Sequence, residues 1–202
     1  MTDDLISVND FAILPMPKLI LGLTGKIGSG KGLIGDYLQK NYGAEFFKFS
    51  TYLSRALDVM GLEQSRDNMI KISEGLRHAF GEDALSYAVA RDAMKSTAQL
   101  AVIDGLRRPE DLTGLLPLPQ FKLAAVEADQ NIRYDRIANR GEKTEEHAMT
   151  MEDFVKQEQR ATEVTVPDTM SLATLQIANN GSQDELETQL DSLMAQFVIP
   201  KK

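Results

Sequence analysis

Residues 23–32 read LTGKIGSGKG, four glycines and two lysines packed into ten positions directly after the apolar run KLILG at 18–22. An apolar run that breaks into glycines and then delivers a lysine reads as a buried strand, a loop made mostly of main chain, and the start of a helix. Gly25, Gly30 and Lys31 fit the spacing G-x-x-x-x-G-K. In that spacing the glycines allow backbone conformations a side chain would forbid. The loop amides can then converge on phosphate oxygens at a helix N-terminus, where the helix dipole also favours negative charge. The reading assigns the whole loop to a nucleotide triphosphate: Gly25, Lys26, Ile27, Gly28, Ser29, Gly30, Lys31 and Gly32. Lys31 is placed on the terminal phosphate as a catalytic charge. A glycine-rich turn that binds nothing is the alternative, and the flanking strand and amphipathic helix argue against it.

Alternation continues outward from the loop. Residues 30–43, GKGLIGDYLQKNYG, place Ile34, Tyr37 and Leu38 at helical spacing and stop at Gly43. EFFKFS (45–50), QLAVIDG (99–105), FKLAAVEA (121–128) and ATLQIANNG (173–181) read as further strands. Helices are expected at 51–60, 66–79, 83–95 with Asp83 as N-cap, 132–141, 151–163 and 183–197. Strands separated by helices predict a parallel sheet covered on both faces.

Composition limits the function classes. The chain has 202 residues, enough for one domain with a full core. Its net charge of -8 disfavours a nucleic-acid polymer as partner. No cysteine is present, which excludes disulfides, thiolate zinc sites and a cysteine nucleophile and fits a cytoplasmic setting. No apolar run is long enough to span a membrane. The acidic start lacks a secretory pattern, so residues 1–17 are read as an extension and 18–198 as a single domain. Oligomeric state is left open.

Further charged residues extend the phosphate reading. Gly32 and Leu33 stand where such loops usually carry the hydroxyl that ligates magnesium, so the metal needs phosphate oxygens, water and a carboxylate from elsewhere. Asp104, ending the run LAVID, is expected to hold it through water at the C-terminal end of a buried strand. The plainer reading of Asp104 is a solvated Asp-Gly turn residue. Arg55, Arg107 and Arg108 follow strands, Arg133, Arg136 and Arg140 share one helical face, and Arg160 lies on the next helix. Phosphoryl transfer between anions needs several fixed cations. Taken singly, each arginine reads more simply as a solvated surface residue.

Over residues 18–195 the chain resembles the P-loop nucleotide kinases of the adenylate kinase and dephospho-coenzyme A kinase type, including deoxynucleoside monophosphate kinase-like proteins. GLTGKIGSGKG (22–32) is similar to the opening of dephospho-coenzyme A kinases, and IANNGSQDELETQL (177–190) to the closing strand and helix of these enzymes. The resemblance implies a P-loop α/β fold with a five-stranded parallel sheet. It also implies acceptor-binding helices over 51–95 and a short lid over 137–160. ATP is the implied donor, with Mg2+. FSTYLSR (49–55) implies that Arg55 contacts an acceptor monophosphate. IDGLRRPED (103–111) implies an acceptor-phosphate role for Arg107 or Arg108, with the register between them open. DRIANR (135–140) is close to the adenylate kinase DRIVGR, implying that Arg136 stacks on the donor base and that Arg140 reaches the phosphates. The lid is short and carries no cysteine metal site. Glu74 and Arg77 are acceptor candidates, with a surface ion pair between them equally open.

The implied activity is transfer of a phosphoryl group from ATP to a nucleoside or deoxynucleoside monophosphate. Dephospho-coenzyme A is an alternative acceptor, whose hydroxyl would want a base among Asp36, Asp58 and Asp104. A nucleotide-binding module without catalysis is the alternative of another class. His78 and His147 read as surface or packing residues.

Overall fold

A computed structural model describes residues 17–139 and 149–202. The expected extension therefore lies outside the described residues except for Pro17, as do residues 140–148 of the expected lid, Arg140 and His147 among them.

Five strands make one sheet: β1 (Leu19–Thr24), β2 (Glu45–Lys48), β3 (Leu100–Asp104), β4 (Phe121–Glu127) and β5 (Leu175–Ala178). Their order is β2-β3-β1-β4-β5 and every neighbouring pair is parallel. The helices are α1 (Lys31–Tyr42), α2 (Phe49–Val59), α3 (Arg66–Phe80), α4 (Ala84–Met94), α5 (Gln130–Ala138), α6 (Met151–Glu158), α7 (Val166–Ser171) and α8 (Gln183–Gln196).

β1 is central and buried along its whole length. Successive strand residues point to opposite faces, so its apolar run feeds two cores. Leu19, Leu21 and Leu23 join Ile34 and Leu38 of α1 and Leu186 and Leu190 of α8. Ile20 joins Phe49 and Leu53 of α2 and Leu85 and Val89 of α4 on the other face. Gly22 shares that second face. A Cβ there would stand 2.6 Å from Leu106 Cδ1 and 2.8 Å from the Phe121 ring, so its absence lets both side chains lie flat on the sheet. The C-terminal ends of β1 and β3 are level, with Leu23 paired to Asp104.

The expected strands are present with boundaries shifted by one to three residues, and α6 ends at Glu158 instead of 163, so Arg160 follows that helix instead of lying on it. The run EFFKFS does not stay extended to its end: β2 stops at Lys48, because Phe49, Leu53 and Leu57 fall four apart and bury one face of α2. α7 was not expected. Six residues are too few to show periodicity, and Pro167, a breaker in a helix interior, is tolerated in the first turn. Asp83 precedes α4 as expected, without a side-chain capping bond.

The packed unit runs past 198. Ile199 is buried, and the Lys202 N–H donates to Asn41 O at 2.7 Å. Asp191 on α8 accepts from the hydroxyls of Tyr37 and Tyr42 at 2.6 Å each and from Lys201 Nζ at 2.7 Å. Burial opposes ionisation of Asp191, but Lys201 and the two hydroxyls outweigh it and bring the carboxyl down to about 2. Its ordinary value in the unfolded chain is near ~4. The carboxylate therefore stabilises the fold above that value, and the contribution disappears as pH falls toward 2. Asp191→Asn removes this titration. The wild type should lose more of its denaturant midpoint between pH 4 and 2 than the variant does, and parallel losses would refute the clamp.

Candidate active site

The loop between β1 and α1 is held by its carbonyl oxygens. Lys31 Nζ donates to Gly25 O at 2.6 Å and Lys26 O at 3.2 Å. Arg133 Nη1 donates to Ile27 O at 3.1 Å, and Asn179 Nδ2 to Ser29 O at 2.8 Å. Gly30 O accepts the first helical bond, from the Ile34 N–H at 3.1 Å. With those acceptors taken by the protein, the loop's donors other than the Ser29 N–H, which donates to Lys26 O at 3.1 Å, are left for a ligand. No side chain caps α1, so its first amides keep their donor capacity. Gly28 and Gly30 have φ of 79° and 98°, which L side chains rarely adopt. A Cβ at Gly30 would also meet Asn179 Nδ2 at 2.1 Å, and one at Gly28 the Arg133 O at 2.6 Å.

Lys31 carries its charge under tension. Burial lowers its pKa, and so do Arg107 and Arg133, while Asp104 and Glu163 pull it back up, leaving about 8. Asp104 ends β3 on this side of Lys31, as the strand register requires. Two buried polar atoms, Thr24 Oγ1 and Arg136 Nη1, have no hydrogen-bond partner among the described residues. Thr24 leads directly into the loop, and Arg136 Nη1 would be 3.8 Å from a Cβ at Gly30. Buried polar atoms without partners are uncommon, and here they border the loop a ligand would fill. These features fit a polyphosphate. Gly32 and Leu33 bring no hydroxyl, and among the described residues no three His, Cys, Asp or Glu side chains gather into a metal site. The donor set thus fits magnesium only through Asp104, water and the phosphates themselves.

The arginines separate into struts and free charges. Arg133 is a strut rather than part of an open cationic face. It is buried, donating to Glu158 Oε1 at 2.6 Å, to Ala128 O at 2.9 Å and to the loop. Arg136 donates to Asn179 O at 2.9 Å and Asn179 Oδ1 at 3.1 Å, which places it against the loop. Burial lowers its pKa. Arg107 pairs with buried Glu163, whereas Arg108 turns away to Glu82 at 2.8 Å, so only the former is joined to the Lys31 neighbourhood. Arg55 and Arg160 are exposed and unpaired among the described residues. Arg77 pairs with buried Asp111 at 2.9 Å and not with Glu74, which is exposed. Asp111 in turn accepts the Arg107 and Arg108 amides at 3.0 and 3.1 Å, shaping the turn that follows β3. Asp58 is tied to Gln64, and Asp36 and His78 are exposed.

Sequence reasoning passed over Asn179 and Glu163. Asn179 lies within the quoted stretch IANNG, but nothing local marks it as the partner of a loop 150 residues earlier. Glu163 sits in a polar stretch and becomes notable only by its burial. A cleft of about 250 Å³ opens beside the loop, bordered by Lys26, Glu127, Asp129, Arg133 and Met170.

The AAA domain family model matches residues 21–163, most of the chain and the whole of the loop. A UPF0200 protein of Thermococcus kodakarensis is 25% identical over 185 residues, covering 89% of this chain and 98% of that protein. Shikimate kinase from Bacteroides thetaiotaomicron superposes with a TM-score of 0.55 at 11% identity, covering 89% of this chain and 98% of that one. A gluconokinase from Sinorhizobium meliloti superposes with a TM-score of 0.52 at 14% identity, covering 91% and 93%. These two likenesses establish a shared P-loop kinase fold.

If Arg133 is a strut, Arg133→Met should destabilise the protein by roughly 1–3 kcal/mol, because the Ala128 and Ile27 carbonyls lose their donor and Glu158 keeps only Gln130 and Lys26. Adding Glu158→Leu should recover part of that loss. Urea denaturation checks both, and a single variant as stable as wild type would refute the strut.

Proposed function

The chain belongs to the AAA-domain family, and from that premise we propose that it is an ATP-dependent phosphotransferase acting on a nucleoside or deoxynucleoside monophosphate. The observation that carries this reading is the division of labour in the loop. Its carbonyls at Gly25, Lys26, Ile27 and Ser29 are bonded to protein donors, and the helix that follows is uncapped. A triphosphate on that loop would receive the α1 amides and the Lys31 ammonium.

Asp104 would hold magnesium through water, and the bound metal would neutralise charge on the phosphates. Arg136 takes the donor-base role that the resemblance implies, and its position against the loop through Asn179, with a buried unpaired Nη1, supports that reading. Arg140 keeps the phosphate-reaching role that the resemblance implies. In the reaction an acceptor phosphate oxygen forms a bond to the γ-phosphorus while the bond from that phosphorus to the β,γ-bridging oxygen breaks, and ADP leaves. An acceptor that is already a phosphate anion needs no general base. The rate then rests on positioning and charge stabilisation.

Dephospho-coenzyme A is the second acceptor to test, since Asp104 beside Lys31 offers a carboxylate to a hydroxyl acceptor. Offering ATP with a panel of monophosphates and dephospho-coenzyme A, and measuring ADP, decides the class. Tight ATP binding with no acceptor-dependent ADP would sink the kinase reading in favour of a binding module.

Lys31→Met should lower turnover by about 10³-fold or more with unfolding temperature little changed. The pH dependence follows from the lysine's position near 8. In the free protein Lys31 loses its proton as pH rises through that value, so kcat/KM for ATP should fall above pH 8. Bound triphosphate favours the charged lysine, so the decline in kcat should lie at higher pH. A flat kcat/KM profile from pH 7 to 9.5 would contradict the role.

A further inference from the structure

The turn after β5 begins with Asn179, Asn180 and Gly181. Strand register pairs Ala178 with Glu127, and the Asn179 N–H adds one bond beyond it, to Glu127 O at 2.8 Å. That bond keeps Asn179 at the C-terminal edge of the sheet, where the glycine loop also lies. Asn180 ties the same turn to the start of α5. Its Oδ1 accepts the Asp129 N–H at 2.8 Å, and its Nδ2 donates to Asp129 Oδ1 at 3.1 Å.

Asn179 is buried, and both halves of its amide are used. Nδ2 donates to Ser29 O at 2.8 Å. Oδ1 accepts from Arg136 Nη2 at 3.1 Å, and the Asn179 main-chain oxygen accepts from the same nitrogen at 2.9 Å. A carbonyl can only accept and a guanidinium can only donate, so one orientation of the amide satisfies both. An aspartate of the same shape would leave the carbonyl of buried Ser29 without its donor.

Arg136 is fixed by the same residue. Two oxygens of Asn179 hold Nη2, which sets the plane of the guanidinium. The other nitrogen, Nη1, is buried, has no partner among the described residues and would be 3.8 Å from a Cβ at Gly30. A side chain at Gly30 would meet Asn179 Nδ2 at 2.1 Å, so glycine at 30 admits the asparagine as well as the turn. One amide thus spaces the loop from the arginine.

We propose that Asn179 is a positioning residue that joins the glycine loop and Arg136 into one nucleotide-binding unit, coupling the grip on the polyphosphate to the grip on the nucleoside. The proposal rests on the reading of the loop as a nucleotide site. A polyphosphate draws on loop amides whose carbonyl side Asn179 braces at Ser29. The nucleoside meets a guanidinium whose plane Asn179 sets. Loss of the amide therefore weakens both grips, whereas loss of the arginine weakens only the second.

Titration calorimetry on the full chain, with a non-hydrolysable ATP analogue and with inorganic tripolyphosphate as the probe lacking a nucleoside, tests this. Arg136→Ala should weaken the analogue about fivefold and leave tripolyphosphate unchanged. Asn179→Ala should weaken the analogue about tenfold and tripolyphosphate about threefold, and adding Arg136→Ala should then cost little more. Asn179→Asp keeps an oxygen for Arg136 but offers Ser29 O no donor. It should weaken tripolyphosphate at least as much as Asn179→Ala does, while Arg136→Ala still costs the analogue its full factor in that background. General loosening of the turn would not separate the two variants in this way, and the aspartate variant decides the matter if circular dichroism shows Asn179→Ala unfolded. Losses from Asn179→Ala and Arg136→Ala that simply multiply overturn the coupling, as does tripolyphosphate binding unchanged in Asn179→Asp. Coupling without acceptor-dependent ADP leaves the role of Asn179 standing and removes the phosphotransferase reading. Wild-type protein that binds neither probe overturns both.

Discussion

The site depends on which side of one loop is satisfied by the protein. Four side-chain hydrogen bonds, from Lys31 twice and from Arg133 and Asn179 once each, take the carbonyl oxygens of residues 25–29 other than Gly28. A main chain whose acceptors are held from behind presents its donors in front. The glycines make that arrangement sterically possible, since side chains at 28 and 30 would collide with Arg133 and Asn179. Glycine content and buried polar residues are thus two halves of one constraint.

The sheet sets where that loop can be. β1 lies between β3 and β4 and is buried on both faces, so it is a rigid base from which the loop springs. Parallel pairing with β3 brings Asp104 to the same level as Leu23, just before the loop. Strands that all point one way collect their C-terminal turns at one edge, and the glycine loop, Asp104 and the Arg107 turn share it for that reason. Asp111 then fixes the Arg107 turn by accepting two consecutive amides.

Electrostatics distribute the cations unequally. Arg133 is committed to Glu158, Arg77 to buried Asp111, and Arg136 to the main chain and side chain of Asn179. Arg107 is held by buried Glu163, while Arg55 and Arg160 stay exposed. Lys31 sits between these groups, lowered by burial and by neighbouring guanidinium groups yet supported by Asp104 and Glu163. A lysine in that balance gains most from an arriving polyanion.

Local pattern alone was enough for the strands, the loop and most helices. An apolar run followed by G-x-x-x-x-G-K has one economical reading, because glycine freedom and hydrophobic burial act over a few neighbouring residues. It also located Asp104 at a strand end. It failed where identity depended on distant partners. Arg133 and Arg136 are three apart on one helix and look equivalent, yet Glu158 makes the first a strut. Arg107 and Arg108 are adjacent, and only the packing of residues 160–165 against the turn after β3 separates them. Asn179 and Glu163 carry no signal of their own. Burial and charge pairing are properties of neighbours in space, so tertiary structure alone decided which polar residues support the loop and which remain to meet a ligand.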